Sequence, residues 1–545
     1  MLTIPWRRTG RGAWTVAAVL TATLVAVPVV FVVASVLRPS TDVWSQQWST
    51  RLPGEIRDTA LLLVGVAIGT TVLGTGLAWL VSAHRFPGSR QLGWLLILPL
   101  AMPSYILGFL TLSTWGRTGS VQDWWRDQFG RDAWFPPVES LWGAIVTFTL
   151  VLYPYVYLLA RAALRDQAAG AYDAARTLGA SRAEATRRIV LPLIRPAIAA
   201  GGAVVMMETL TDFATVQYFG VDTVSVGVFR VWRGTYDRNA ASELATIVLA
   251  FALLAIGLER VARGRARFGQ SGGAGAGVEP RRLTGWRAAA ATATCGAVVL
   301  AAFVGPVVRL ATWAIAEQRS DRGTPLLEQY PDYLWHSLQL MVIVLLICTV
   351  VAIVLANAQR FGRPGPTRIS SRITAMGYAV PGPVVGIGVI LAVVALDDVL
   401  GWVGLELPGA VATGSILVLV YAYVIRFLAP GLGAIESGTG QVTDEMTASA
   451  RTLGAGSLET IRRVHLPLTK ASILAAAVLV GVDALKELPI VLLLRPFGFD
   501  TLPVWVYGLA TESRYEQAAL PALSLIAVAL LPVYLLARQL DRPDR

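Results

Sequence analysis

The chain has 545 residues, 55% of them apolar and only 15% charged, against roughly 25% charged in a soluble domain. That composition excludes an ordinary soluble enzyme and indicates a polypeptide that crosses a membrane many times. A net charge of +11 would suit a nucleic-acid partner, but the basic residues are spread over alternate loops, a pattern that membrane topology explains and nucleic-acid binding does not.

Arg7, Arg8 and Arg11 precede a first apolar stretch near 14–36. It is too long for a signal-peptide core and lacks a small-residue cleavage pattern, so it reads as a retained helix. A crossing takes about 20 apolar residues, and further stretches of that kind run near 59–82, 92–114, 141–162, 196–213 and 242–260. Six more follow near 287–312, 335–356, 374–396, 409–428, 471–494 and 518–537. Pro103 with Gly108 in the third stretch, and Pro381, Pro383 and Gly386 in the ninth, occupy matching places. Such residues loosen a helix where neighbours or water satisfy its backbone. Trp124, Trp125, Trp134 and Trp142 cluster where an interfacial anchor is expected. Cys295 and Cys348 fall inside predicted spans, so no disulfide framework is implied. Gly264 to Gly285, centred on Gly272-Gly273-Ala274-Gly275, has the composition of a flexible connector.

The expected organisation is therefore all-α and integral to the membrane, with about twelve spans as two six-helix halves, 1–263 and 286–545, joined by a linker at 264–285. Six spans return the chain to its starting side, so the halves are parallel repeats. Loops 161–195 and 260–287 each carry seven arginines, which assigns them, and both termini, to the cytoplasm.

The halves share a motif. Ala175-Arg176-Thr177-Leu178-Gly179-Ala180 running to Leu191-Pro192-Leu193 recurs as Ala450-Arg451-Thr452-Leu453-Gly454-Ala455 running to Leu466-Pro467-Leu468, and Gly179 and Gly454 lie 275 positions apart. Glu184 and Arg188, like Glu459 and Arg463, are four apart with the acid first, an order that favours a helix-surface pair. The glycines suit a tight bend between two short helices, and Pro192 and Pro467 are expected to end the second one. Such a unit protruding from a bundle is a docking surface.

These residues carry a resemblance. Asp173-Ala174-Ala175, Gly179, Ile189 and Leu191-Pro192, with Gly454, Val464 and Leu466-Pro467 in the second copy, are similar to the cytoplasmic signature loop of permease subunits in binding-protein-dependent ABC importers. Asp173 stands where that family usually has Glu, and Ala448-Ser449-Ala450 has no acid. The resemblance implies the type I importer permease fold, with coupling loops at about 165–195 and 440–470 docking two separate ABC ATPase subunits. It implies Asp173, Ala174, Ala175, Gly179, Glu184, Arg188, Leu191 and Pro192, with Ala450, Gly454, Glu459, Arg463, Leu466 and Pro467, as the docking residues. It also implies a periplasmic or lipid-anchored substrate-binding protein and a place in the bacterial inner membrane. No G-x-x-x-x-G-K-[ST] occurs, so ATP and Mg are expected at the partner ATPase and no cofactor on this chain. His84, His336 and His465 lie far apart, and no catalytic or metal constellation is expected.

A narrower resemblance addresses cargo. The stretch from Glu208 through Asp212-Phe213-Ala214-Thr215 to Thr223, and that from Asp483 through Lys486-Glu487-Leu488-Pro489 to Thr501, are similar to segments of the two-halved permeases of ferric-iron importers. Thiamine, a polyamine or another small solute is the alternative, and a proton-coupled secondary transporter the rival from another class. Independently of the family, Glu208 and Asp212 are spaced to share one helix face, as are Asp483, Lys486 and Glu487. Acids within spans are expensive and should face the bundle interior or water, which makes these five candidates for the translocation path. The competing reading is that Lys486 merely neutralises Asp483 and Glu487.

Overall fold

In a computed structural model the described residues are 9–37, 40–166, 172, 175–263, 281–319, 324–404 and 414–540. Eleven helices among them are long and apolar enough to cross a membrane, or twelve if one bent pair counts as a single span. Helices dominate because hydrocarbon offers no partner for an exposed peptide group, so each segment must satisfy its own backbone.

The bent pair is the third predicted span. Ser89–Ala101 and Ser104–Phe129 meet at 96°, with Met102 extended and Pro103 capping the second helix. The ninth is broken at the matching place: Gly377–Ala379 closes one segment, Pro381 caps the next, and the span proper runs Gly382–Trp402. Proline has no amide to donate, so the chain turns where the ladder is already interrupted. The fifth and eleventh spans are shorter than their apolar runs, ending at Thr211 and Lys486 and giving way to the short helices Phe213–Tyr218 and Pro489–Leu494.

The described residues fall into two compact units, and neither is a sequence half. One is drawn from Met1–Gln46, Val228–Leu249 and Leu327–Trp505. In it the first helix, Thr9–Ser35, packs on Pro364–Met376 and Gly382–Trp402, and Ile416–Thr439 packs on Leu466–Lys486. Ala18, Ala22, Val25 and Val32 form the buried stripe of that first helix, while Val16, Leu20 and Leu24 stay exposed, the spacing of a helix with one packed side.

The other unit is drawn from Gln47–Gly227, Ala250–Leu326 and Val506–Arg545. Its centre is Leu52–Ala83 against Leu141–Asp166, with Leu191–Thr211 beside both. Tyr153 and Tyr157 are fully buried there and donate to the Leu96 and Gly93 carbonyls at 2.8 and 2.7 Å. Gly305–Gln318 packs on Tyr515–Leu540. The expected linker lies mostly outside the described residues; within it Arg281–Arg282 pairs in parallel with His84–Arg85. Cys295 and Cys348 are buried free thiols.

Candidate functional site

Where both motif loops are described, their bends fold the same way. In the second copy Thr443 accepts from the Met446 amide at 3.3 Å and starts the helix Asp444–Thr452. The Glu445 carboxyl is held below the usual glutamate range by its own backbone amide and by Thr443. The helix ends with Gly454 at φ +89°, its amide bonded to Arg451 O, and with Ala455 N bonded to Ala450 O at 3.1 Å. In the first copy Gly179 has φ +90°, its amide bonds Arg176 O, and Ala180 N bonds Ala175 O at 3.0 Å. Both are Schellman endings, whose left-handed residue is normally glycine. Asp173 and Ala174 lie outside the described residues.

The bend turns an apolar side chain outward in both copies, since Leu178 and Leu453 are each 88% exposed. The expected surface pairs form: Arg188 Nη1 to Glu184 at 2.8 Å and Arg463 Nε to Glu459 at 3.2 Å. In the second copy a cleft of about 640 Å³ lies between the arms, lined by Met446, Ala450, Leu453, Glu459 and Arg463 among others.

The prolines behave differently from expectation. Pro192 and Pro467 do not end the motif's second helix; they sit in the first turn of the spans Leu191–Thr211 and Leu466–Lys486. Each follows one π-turn, Thr186–Val190 or Ile461–His465. A proline ring collides with the carbonyl four residues back in an α-helix, and the wider turn makes room, so the motif runs unbroken into the membrane. Sequence inspection offers little sign of a π-turn.

The second loop has an anchor that the spacing did not announce. Buried His465 meets Asn357 Oδ1 at 2.6 Å and Thr447 Oγ1 at 3.2 Å, and stacks on Phe361. Arg360 donates to the Thr439 and Val442 carbonyls at 2.6 and 2.5 Å. Val190 stands where His465 does, 275 positions earlier.

The candidate path acids divide. Asp212 does not share a helix with Glu208; it caps the next one, accepting from Thr215 N at 2.8 Å, from Thr215 Oγ1 at 2.6 Å, and from Ser104 Oγ. Glu487 likewise leaves the face of Asp483 and Lys486. It accepts from Ile490 N at 3.2 Å and meets Arg426 Nε at 3.2 Å, with both side chains almost wholly buried. Lys486 neutralises Asp483 at 3.1 Å, and Arg426 is the base beside Glu487. A lone arginine in the apolar run Ile416–Thr439 was the available signal for that pair. Glu208 is half-buried on its own helix. The short helices that follow the two acids lie against Gly108 and Gly386. A Cβ at Gly108 would be 3.3 Å from Thr215 Cγ2, and one at Gly386 would be 2.6 Å from Leu493 Cδ1. Among the described residues no group of three or more His, Cys, Asp or Glu is placed to hold a metal ion.

Residues 70–260 match the family described as "Binding-protein-dependent transport system inner membrane component". The Fe(3+)-transport system permease protein FbpB 2 of Haemophilus influenzae is 23% identical over 90% of this chain and 90% of its own length. The sulfate transport system permease protein CysT of Salmonella typhimurium is 29% identical over 41% of this chain and 81% of itself. The molybdenum transport system permease protein ModB of Escherichia coli is 30% identical over 35% of this chain and 87% of itself. With two bent motif loops, eleven or twelve apolar helices and relatives aligned over most of their own lengths, this chain belongs to the family of binding-protein-dependent transport system inner membrane components, the membrane permeases of ABC importers, which are not themselves catalytic.

Proposed function

We propose that this chain is the inner-membrane permease of an importer that carries ferric iron, handed over outside by a binding protein and driven by two separate ATPase subunits, one on each motif loop. ATP and Mg belong to those subunits, and both termini and both loops lie in the cytoplasm. The observation that carries the coupling half of this reading is the duplicated bend, with Gly179 and Gly454 at φ +90° and +89° and Leu178 and Leu453 equally exposed. A solvent-facing leucine at such a bend gains the burial of its side chain on docking. The docking set on the described residues is Ala175, Gly179, Glu184, Arg188, Leu191 and Pro192, with Ala450, Gly454, Glu459, Arg463, Leu466 and Pro467; Asp173 and Ala174 join it from the sequence.

The iron assignment rests on the ferric permease that aligns with both halves of the chain. Of the path candidates, Glu208, Asp483 and Lys486 sit on the span helices, while Asp212 caps the short helix that follows and Glu487 accepts from the Ile490 amide just past its span. That geometry supports a framing role for Asp212 and Glu487. A second cargo class, oxyanions, has one observation in its favour: the sulfate and molybdenum permeases are 29% and 30% identical against 23% for the ferric permease, although over 41% and 35% of this chain.

Uptake separates the two. Deleting the chain from its host should abolish ATP-dependent entry of radioactive ferric iron and leave sulfate and molybdate entry intact. Loss of either oxyanion with iron entry unchanged would contradict the iron assignment while leaving the importer reading in place.

A further inference from the structure

We propose that the arginine cluster around Arg85 and Arg282 is a binding site for the phosphate of an anionic phospholipid, on the side that the basic loops assign to the cytoplasm. Arg85 and Arg282 are partners in a two-residue parallel strand pair, so their side chains leave the same face. Leu283 N donates to Arg85 O at 2.8 Å and Thr292 Oγ1 to Pro87 O at 2.9 Å, which fix the two segments against each other. The short helix Ser89–Leu95, carrying Arg90, packs on Gly285–Val299, carrying Arg287.

Like charges directly opposite on one face of a sheet are destabilising without a counter-charge. Among the described residues none of Arg85, Arg90, Arg281, Arg282 and Arg287 is in an ion pair. Arg85, Arg282 and Arg287 are all exposed. Two guanidinium forks on one face match the oxygens of a phosphate, which accepts bidentate hydrogen bonds.

The surroundings select a lipid over a free phosphate. Trp286 is 76% exposed in the first turn of an apolar stretch, Gly285–Gln318, long enough to cross the membrane, and the Arg287 guanidinium lies 5.7 Å from its ring. Tryptophan and arginine together at a helix mouth mark headgroup depth. Below Trp286, the exposed positions Ala290, Ala293, Ala297, Leu300 and Val304 continue one helical stripe. Small residues under a tryptophan leave a shallow track for an acyl chain.

The test uses the purified full chain in neutral detergent, with its thermal unfolding followed as phosphatidylglycerol, phosphatidylcholine or inorganic phosphate is titrated in. Phosphatidylglycerol should raise the midpoint of the wild type, and an Arg85→Gln, Arg282→Gln variant should need about tenfold more for the same rise. An identical response in the variant would overturn the site, as would equal protection by phosphatidylcholine. Equal protection by inorganic phosphate would overturn the lipid as its occupant. Should the variant fail to fold, native mass spectrometry of the wild type decides: preferential retention of phosphatidylglycerol supports the site and equal retention of both lipids refutes it.

Discussion

Asp212 and Glu487 lie 275 positions apart, the spacing of Gly179 and Gly454, and each accepts a hydrogen bond from the backbone amide three residues on, Thr215 at 2.8 Å and Ile490 at 3.2 Å. The repeat therefore extends from the motif loop to the break that follows the fifth and eleventh spans. An acid at such a break satisfies amides that hydrocarbon would leave bare. What differs is the second partner: hydroxyls of Ser104 and Thr215 for Asp212, and a guanidinium for Glu487.

That difference makes the two acids separable by mutation. Asp212→Asn keeps a capping oxygen, and stability should stay within about 0.5 kcal/mol of wild type, whereas Asp212→Ala should lose about 1 kcal/mol. Glu487→Ala removes the carboxylate beside buried Arg426 and should cost about 3–5 kcal/mol. Unfolding midpoints in detergent measure all three. Equal losses for Asp212→Asn and Asp212→Ala would mean that charge, and not capping, is what position 212 supplies.

The anchor of the second loop gives another expectation. His465→Val, which copies the residue of the first loop, removes the imidazole that meets Asn357 Oδ1 and leaves that oxygen buried without it, at about 1–3 kcal/mol. Amide exchange of Asp444–Thr452 should quicken while the exchange of Leu191–Thr211 does not. Unchanged protection in Asp444–Thr452 would show that the loop is held by other contacts.

The exposed surface pairs should matter little to folding. Glu184–Arg188 and Glu459–Arg463 are open to solvent, so a double-mutant cycle on either should return at most about 0.5 kcal/mol. A coupling above 1 kcal/mol in the isolated chain would indicate burial that the structure lacks.

Much of this was legible in the residues themselves. Apolar run length gave the eleven or twelve spans, and the duplicated glycines gave the bend, because both are local properties. Where helices stop was less visible: Asp212 and Glu487 are spaced to continue a helical face, yet Asp212 caps the next helix and Glu487 ends its own while accepting from the Ile490 amide, and Ser104 and Arg426, 108 and 61 positions away, hold them there. Pro192 and Pro467 resembled helix ends until a preceding π-turn absorbed them. The exchange of helices between compact units was invisible for the same reason, since a lipid-facing helix and one that packs on a distant segment have the same composition.

The leucines at the bend carry the coupling claim. If each is buried on an ATPase surface, Leu178→Asp or Leu453→Asp should weaken binding by about tenfold or more, from the 1.5–3 kcal/mol of a buried leucine. The folding of the chain should be untouched, because both side chains are already in solvent.

The most direct measurement combines both sites. Tagged wild type and a Leu178→Asp, Leu453→Asp variant would be purified from host membranes, and the co-purifying P-loop subunit quantified alongside ATP-dependent iron uptake by the same cells. The expected result is a folded variant that has lost both the ATPase subunit and uptake. A variant that retains the ATPase subunit at wild-type levels would contradict the assignment of these loops as its docking surface.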